Sequence, residues 1–169
     1  MVEQEFEREE RGYGSVSHSN HVVICEYTAF ADELIREIQQ KHLFPARDVV
    51  LIGSLVERSP YPEYDFIYGI PISPKVQERA NISRASVIFV FANIRFSDPD
   101  TKTLHVVSRI MERNTDAPIY VELHDQDHPL LAELPRPVTV MNSDDLLHSA
   151  LQHNYLDIEE YLQTEIRRD

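Results

Sequence analysis

Asn20-His-Val-Val-Ile-Cys-Glu-Tyr-Thr-Ala-Phe-Ala-Asp-Glu-Leu34 decides how this chain folds. Four apolar residues lead into a turn, and Phe30, Leu34 and Ile38 then recur at four-residue spacing. That is a buried strand followed by an amphipathic helix. A nucleotide-binding turn at such a junction carries G-x-G-x-x-G, because only glycine bends tightly enough and lets backbone approach a pyrophosphate. Here the three glycine positions hold Glu26, Thr28 and Ala31. Side chains fill the space of a phosphate, and Glu26 adds negative charge to it. The scaffold is expected to survive without its cofactor turn, which points away from an oxidoreductase and towards a regulatory domain.

Outward from this segment, short β-branched runs alternate with helical patterns. Strands are expected at His21 to Cys25, Val49 to Ile52, Asp65 to Tyr68, Val87 to Phe91, Ile119 to Leu123 and Val138 to Met141. Helices are expected at Ala29 to Leu43, Pro74 to Ala80 and Asp98 to Arg113, with a short helical piece at His128 to Leu134. Alternation of this kind implies right-handed βαβ units and an α/β fold with a Rossmann-like, doubly wound parallel sheet of about six strands. Val87-Ile-Phe-Val-Phe91 is apolar throughout, as a strand covered on both faces must be.

The ends of the chain differ in character from this core. Residues 1–19 read as a charged connector: Glu3 to Arg11 is helix-prone, and Gly12 to Asn20 is a Gly-, Ser- and His-rich linker. Residues 20–141 form the core. Residues 142–169 read as a helical hairpin. Ser143 caps its first helix, which carries Leu146, Leu147 and Leu151, and Asp157 caps a second with Ile158, Tyr161, Leu162 and Ile166 on one side. Lying beyond a complete sheet, this hairpin has a spare apolar face and is expected to pair subunits.

Composition bounds the function. The 169 residues carry 29 acidic against 16 basic side chains, a net charge of −13, which disfavours a nucleic-acid surface. An apolar content of 42% is that of a globular chain. The single cysteine, Cys25, sits in an apolar strand and reads as a buried small hydrophobe. No intrachain disulfide can form, which fits a reducing compartment. No apolar run is long enough to cross a bilayer.

Three motifs carry a family resemblance. His21-Val-Val-Ile-Cys25 is similar to the first strand of the RCK domain (regulator of potassium conductance). Ile67-Tyr-Gly-Ile-Pro71, followed by Val76-Gln-Glu-Arg-Ala-Asn-Ile-Ser-Arg-Ala85, resembles that family's Gly-x-Pro turn and the helix ending in Arg-Ala-x-Ile-x-x-Ala. Asp100-Thr-Lys-Thr-Leu104 is similar to its Asp-Thr-x-x-Leu helix start. Ala92-Asn93 and Ser97-Asp-Pro-Asp100 resemble the same region of calcium-activated potassium channels. The likeness runs from residue 21 to about 167. It implies a gating-ring domain on the cytoplasmic side of the membrane, forming homo-oligomers and pulling on a potassium-channel pore through its N-terminal connector. The last two helices would be the crossover that pairs subunits.

Family members that bind NAD or ADP keep the glycine turn and an acidic residue after the second strand. The latter position is Gly53 here, so Glu26, Thr28, Ala31 and Gly53 together argue against either nucleotide as a cofactor. A divalent cation such as calcium is the alternative ligand. Loop carboxylates at strand ends suit it, and the candidates are Asp98, Asp100, Glu122, Asp125 and Asp127. By resemblance Glu122 matches a calcium-site position, but His124 stands where a second carboxylate belongs and Phe91 replaces a third. Helix capping by Asp98, Asp100 and Asp127 is the stronger reading of those residues. A soluble regulatory subunit of a potassium-uptake transporter and a ligand-free oligomerisation scaffold are the competing functions. An enzyme is disfavoured, because Tyr27 lacks the lysine partner of a dehydrogenase dyad.

Overall fold

The computed structural model describes residues 2–141. Six strands, β1 (Val22–Cys25), β2 (Val49–Gly53), β3 (Asp65–Tyr68), β4 (Val87–Val90), β5 (Ile119–Glu122) and β6 (Thr139–Met141), form one sheet in the order β3-β2-β1-β4-β5-β6. Every pairing is parallel, with Val22 opposite Val49 on one side and Val87 on the other. Strand order reverses between β1 and β4, and the crevice above that point is where open α/β sheets bind ligands.

Helices α1 (Val2–Glu10), α2 (Ala29–Gln40), α3 (Pro74–Arg79) and α4 (Pro99–Arg113) complete the described elements, with 3₁₀ turns at Ile82–Arg84 and Pro129–Glu133. Alternate strand residues feed two cores. Val22, Ile24, Leu51 and Phe89 pack with Phe30, Leu34 and Ile38 of α2 on one face. Val23, Cys25, Val50, Ile52 and Ile88 pack with Val76, Leu104, Val107 and Ile110 on the other. Both faces of the central strands are dry, so their apolar runs do not alternate with polar residues. The Cys25 thiol is fully buried, and burial pushes its pKa far up, so it is an unreactive packing group.

Boundaries moved by a few residues. The helix expected to reach Leu43 ends at Gln40, and Phe91 lies just outside β4. The hairpin residues Leu146, Leu147, Leu151, Ile158, Tyr161, Leu162 and Ile166 lie outside the described residues.

The connector is more than a linker. Gly12 is buried with φ +79, and its carbonyl accepts the Tyr68 amide at 2.9 Å. A Cβ on Gly12 would sit 2.3 Å from that amide nitrogen, so only glycine can lie against the β3 edge here. Arg79 clamps the same stretch, donating to the carbonyls of Gly12 at 2.7 Å and Tyr68 at 2.8 Å. The outer strand is thereby covered, which removes an open edge.

Candidate functional site

At the turn after β1, Glu26 adopts φ +75, the left-handed conformation that glycine supplies in nucleotide-binding turns. A residue with a Cβ gives up about 1–2 kcal/mol to hold it. The side chain explains why it persists. Its buried carboxylate accepts the Ser54 backbone N–H at 3.1 Å, with the Ser54 hydroxyl at 3.3 Å and the Asn93 amide at 3.5 Å. Thr28 caps α2, its Oγ1 accepting the Ala31 N–H at 3.2 Å. Ala31 is wholly buried against the sheet. Thr28 thus supplies an acceptor at the helix terminus that a phosphate would otherwise approach.

Burial raises the Glu26 carboxyl above its ordinary value, and the bonds from Ser54 and Asn93 only partly offset this. Glu122 shifts the same way for the same reason. Because the folded state holds these protons more tightly, the contribution to stability is greatest below about pH 4.5 and declines as pH rises through the elevated value. Thermal melts of Glu26→Gln should show it: relative to the native chain, its Tm is expected to rise as pH climbs from about 4.5 through the elevated value. A difference independent of pH would show that the Glu26 carboxylate keeps its hydration.

Next to this turn stands a cluster of which the sequence singled out Tyr27 alone. The Tyr27 hydroxyl donates to Asp32 Oδ1 at 2.5 Å, the Tyr61 hydroxyl donates to the same oxygen, and Arg36 Nε bonds Oδ2 at 2.9 Å. Partial burial works against the Asp32 charge, but the two phenols and the guanidinium outweigh it and hold the carboxyl below its usual range. Desolvation and Asp32 push the Tyr27 phenol well up, so it is no proton-transfer group near neutral pH. The cluster fastens the loop after β2 over the first turn of α2. Asp32 in a helical first turn was the one available signal.

The candidate metal ligands are dispersed. Asp98 caps α4, accepting the Thr101 N–H at 3.3 Å and its hydroxyl at 2.7 Å. Both bonds keep its carboxyl low. Asp100 does not cap, contrary to expectation. It is buried and reaches across to the loop after β5, accepting the amides of His124 at 2.9 Å and Asp125 at 2.8 Å. Burial opposes its charge, but those two amides prevail and the carboxyl lies below its usual value. Glu122 accepts the Ala92 amide at 2.8 Å, and Asp125 accepts the Asp127 amide at 2.9 Å. Asp127 does not cap the following turn either: His128 takes that place, its Nδ1 accepting the Leu130 amide at 3.2 Å. Among the described residues no three acidic, histidine or cysteine side chains converge on a common point. Asp100 and Glu122 hold loops to strand ends.

Two depressions open at the switch point. One, of about 330 Å³, lies between Thr28, Phe30 and Glu33 of the α2 entry and Ala92, Ile94 and Glu122. The other is a narrow slot of about 70 Å³ with Glu26 in its wall, lined otherwise mainly by Ile70, Pro71, Phe91, Phe96 and Val106.

No family model matches this sequence, and no curated protein resembles it by sequence. Solved structures do resemble it in three dimensions. The GsuK RCK domain superposes with a TM-score of 0.62 at 14% identity, over 83% of this chain and 29% of that one. The fold is that of an RCK domain. The TrkA-N domain of the Escherichia coli inner membrane protein YbaL agrees, at a TM-score of 0.60 and 13% identity over 81% of this chain and 97% of that one. So does the Shewanella denitrificans Kef CTD in its AMP-bound form, at 0.56 and 14% over 88% and 91%. This chain spans less than a third of the GsuK chain. GsuK has also been captured with NAD and with ADP. The RCK fold is shared here at an identity so low that the likeness does not extend to the side chains of the crevice.

Proposed function

We propose that this is a regulatory RCK domain of a potassium channel or potassium transporter, one that senses its effector without a pyrophosphate-binding turn. The observation that carries the reading is Glu26: an RCK-type sheet with the first glycine of the turn replaced by a buried, internally bonded carboxylate. The fold supports the regulatory role. The filled turn favours an effector other than NAD or ADP. Among the described residues, Tyr27 is engaged by Asp32, and the crevice carboxylates Glu122 and Asp100 are bonded to backbone amides, which favours a regulatory over a catalytic reading. The groove of about 330 Å³ beside Glu122 is within the size range of small-ligand sites and is the place an effector would enter.

The domain would work as a homo-oligomer on the cytoplasmic side, joined to its membrane partner through α1 and paired through residues 142–169. Among the described residues no helix is long and apolar enough to cross a membrane. An effector shifts such an assembly only by binding its two states unequally. The test is potassium (or rubidium) flux in cells carrying the complete gene product, native or with Leu162→Asp and Ile166→Asp, with oligomeric state followed by light scattering. Loss of flux regulation together with loss of the oligomer is expected. Unchanged regulation by a monomeric variant would contradict the proposal.

A further inference from the structure

Two exposed apolar side chains frame the narrow slot at the switch point. Ile70, in the loop after β3, is 50% exposed, and Phe96, in the loop after β4, is 43% exposed. Ile94, two residues before Phe96, is 78% exposed. Large apolar side chains grouped on neighbouring loops differ from the isolated ones that any surface carries. The slot between them reaches Phe91 and Val106, and its free volume of about 70 Å³ is far below the several hundred that organic ligands occupy. It has room for a single side chain. Its rim is basic: Arg95 stands between Ile94 and Phe96, and the Lys102 ammonium lies 5.8 Å from the Phe96 ring centroid.

The chain itself supplies an occupant. Because every strand pairing is parallel, β6 ends at Met141 on the same end of the sheet as Ile70 and Phe96. β6 lies two strands from β4, about 10 Å across the sheet. The sequence beyond it runs Asn142-Ser-Asp-Asp-Leu-Leu147, two acids followed at once by two leucines. Leu146 is five residues past Met141, a reach of up to about 17 Å. We propose that residues 144–147 dock on this slot in their own chain, one leucine entering between Ile70 and Phe96 and the two aspartates facing Arg95 and Lys102. Apolar side chains then meet apolar ones, and acids meet the basic rim of a molecule whose net charge is −13. Attachment to β6 keeps the segment at a local concentration that a second copy in dilute solution does not match. Ile158, Tyr161, Leu162 and Ile166 remain for the subunit contact, so the docking is separate from that pairing.

Hydrogen exchange of the full chain reads the docking at the amides of residues 145–151. In the native chain these are expected to be protected, and to stay so on about fiftyfold dilution, because the contact is intramolecular. In Ile70→Ser/Phe96→Ser the protection should fall at least about tenfold, the order expected when one leucine side chain returns to water. Both substituted positions are exposed, and the β5 amide of Val121 serves as the reference for an intact core. Arg95→Glu/Lys102→Glu should weaken the protection as well, and adding Asp144→Lys/Asp145→Lys should restore it. Leu162→Asp/Ile166→Asp should leave it unchanged, which separates this contact from subunit pairing. Five results would overturn the proposal: no protection in the native chain; loss on dilution, with a second copy as the occupant; indifference to Ile70→Ser/Phe96→Ser; charge reversals that do not compensate; or loss in Leu162→Asp/Ile166→Asp.

Discussion

Asn114→Ala is expected to destabilise the domain by about 3–5 kcal/mol, lowering Tm by roughly 10 °C for a chain of this size. Asn114 is buried at the end of α4, and its side chain is fully engaged. The Nδ2 group donates to the carbonyls of Ile82 at 2.8 Å and Ala85 at 3.0 Å. The Oδ1 atom accepts the amides of Asp116 at 3.1 Å and Ala117 at 2.9 Å. Alanine would remove all four bonds at once and leave the buried Ala117 amide and the Ala85 carbonyl without them, while the Ile82 carbonyl keeps the Ala85 N–H at 3.2 Å. The consequence extends beyond α4, because Ala85 precedes β4 and Ala117 precedes β5. One amide side chain thus sets the spacing of the two strands whose far ends carry Ala92 and Glu122. Arg136 reinforces the same corner through the carbonyls of Asn114 and Ala117, both at 2.8 Å. Urea unfolding would measure the loss; a change below about 1 kcal/mol would mean that water replaces the four bonds at little cost.

The second large effect is a gain. The triple variant Glu26→Gly, Thr28→Gly, Gly53→Asp is expected to bind ADP at least a hundredfold more tightly than the native chain, a difference of about 2.7 kcal/mol. Each change has a structural reason. Glycine at 26 takes up φ +75 without a Cβ penalty and removes the carboxylate from the turn. Glycine at 28 frees the Ala31 amide that Thr28 Oγ1 now accepts. At 53 a Cβ would meet Tyr27 at 3.5 and 3.6 Å and Glu26 Oε1 at 3.7 Å, ordinary contacts. Once the Glu26 carboxylate is gone, an aspartate at that strand end can accept a ribose hydroxyl. Affinity equal to that of the native chain would show that the crevice is closed by something other than these three side chains.

Much of the sheet could be read from the chain because its signals are local. Val22–Cys25, Val49–Gly53 and Val87–Val90 are continuous apolar runs, and α2 carries a four-residue period behind a threonine cap. The absence of glycine at positions 26, 28 and 31 is equally visible residue by residue. What was not legible depends on contacts between distant positions. Nothing around Asp100 says that its carboxylate serves the amides of His124 and Asp125 rather than its own helix. The roles of Asn114, of Gly12 against Tyr68 and of Tyr61 above Asp32 are likewise set by partners far along the chain. The carboxylates proposed as a cation site illustrate the same limit. Proximity to strand ends was read correctly, but Asp98, Asp100, Glu122 and Asp125 each accept a nearby backbone amide, and such a cap or loop tie uses lone pairs that an ion would need.

Calorimetric titration of the native domain with ADP, then AMP and NAD, tests the central claim most directly. With Glu26 and Thr28 occupying the turn, no saturable heat is expected at nucleotide concentrations up to about 1 mM, a binding free energy weaker than about −4 kcal/mol. Saturable, micromolar binding of ADP would contradict the account, because it would require the crevice to accept a pyrophosphate with the Glu26 carboxylate in place.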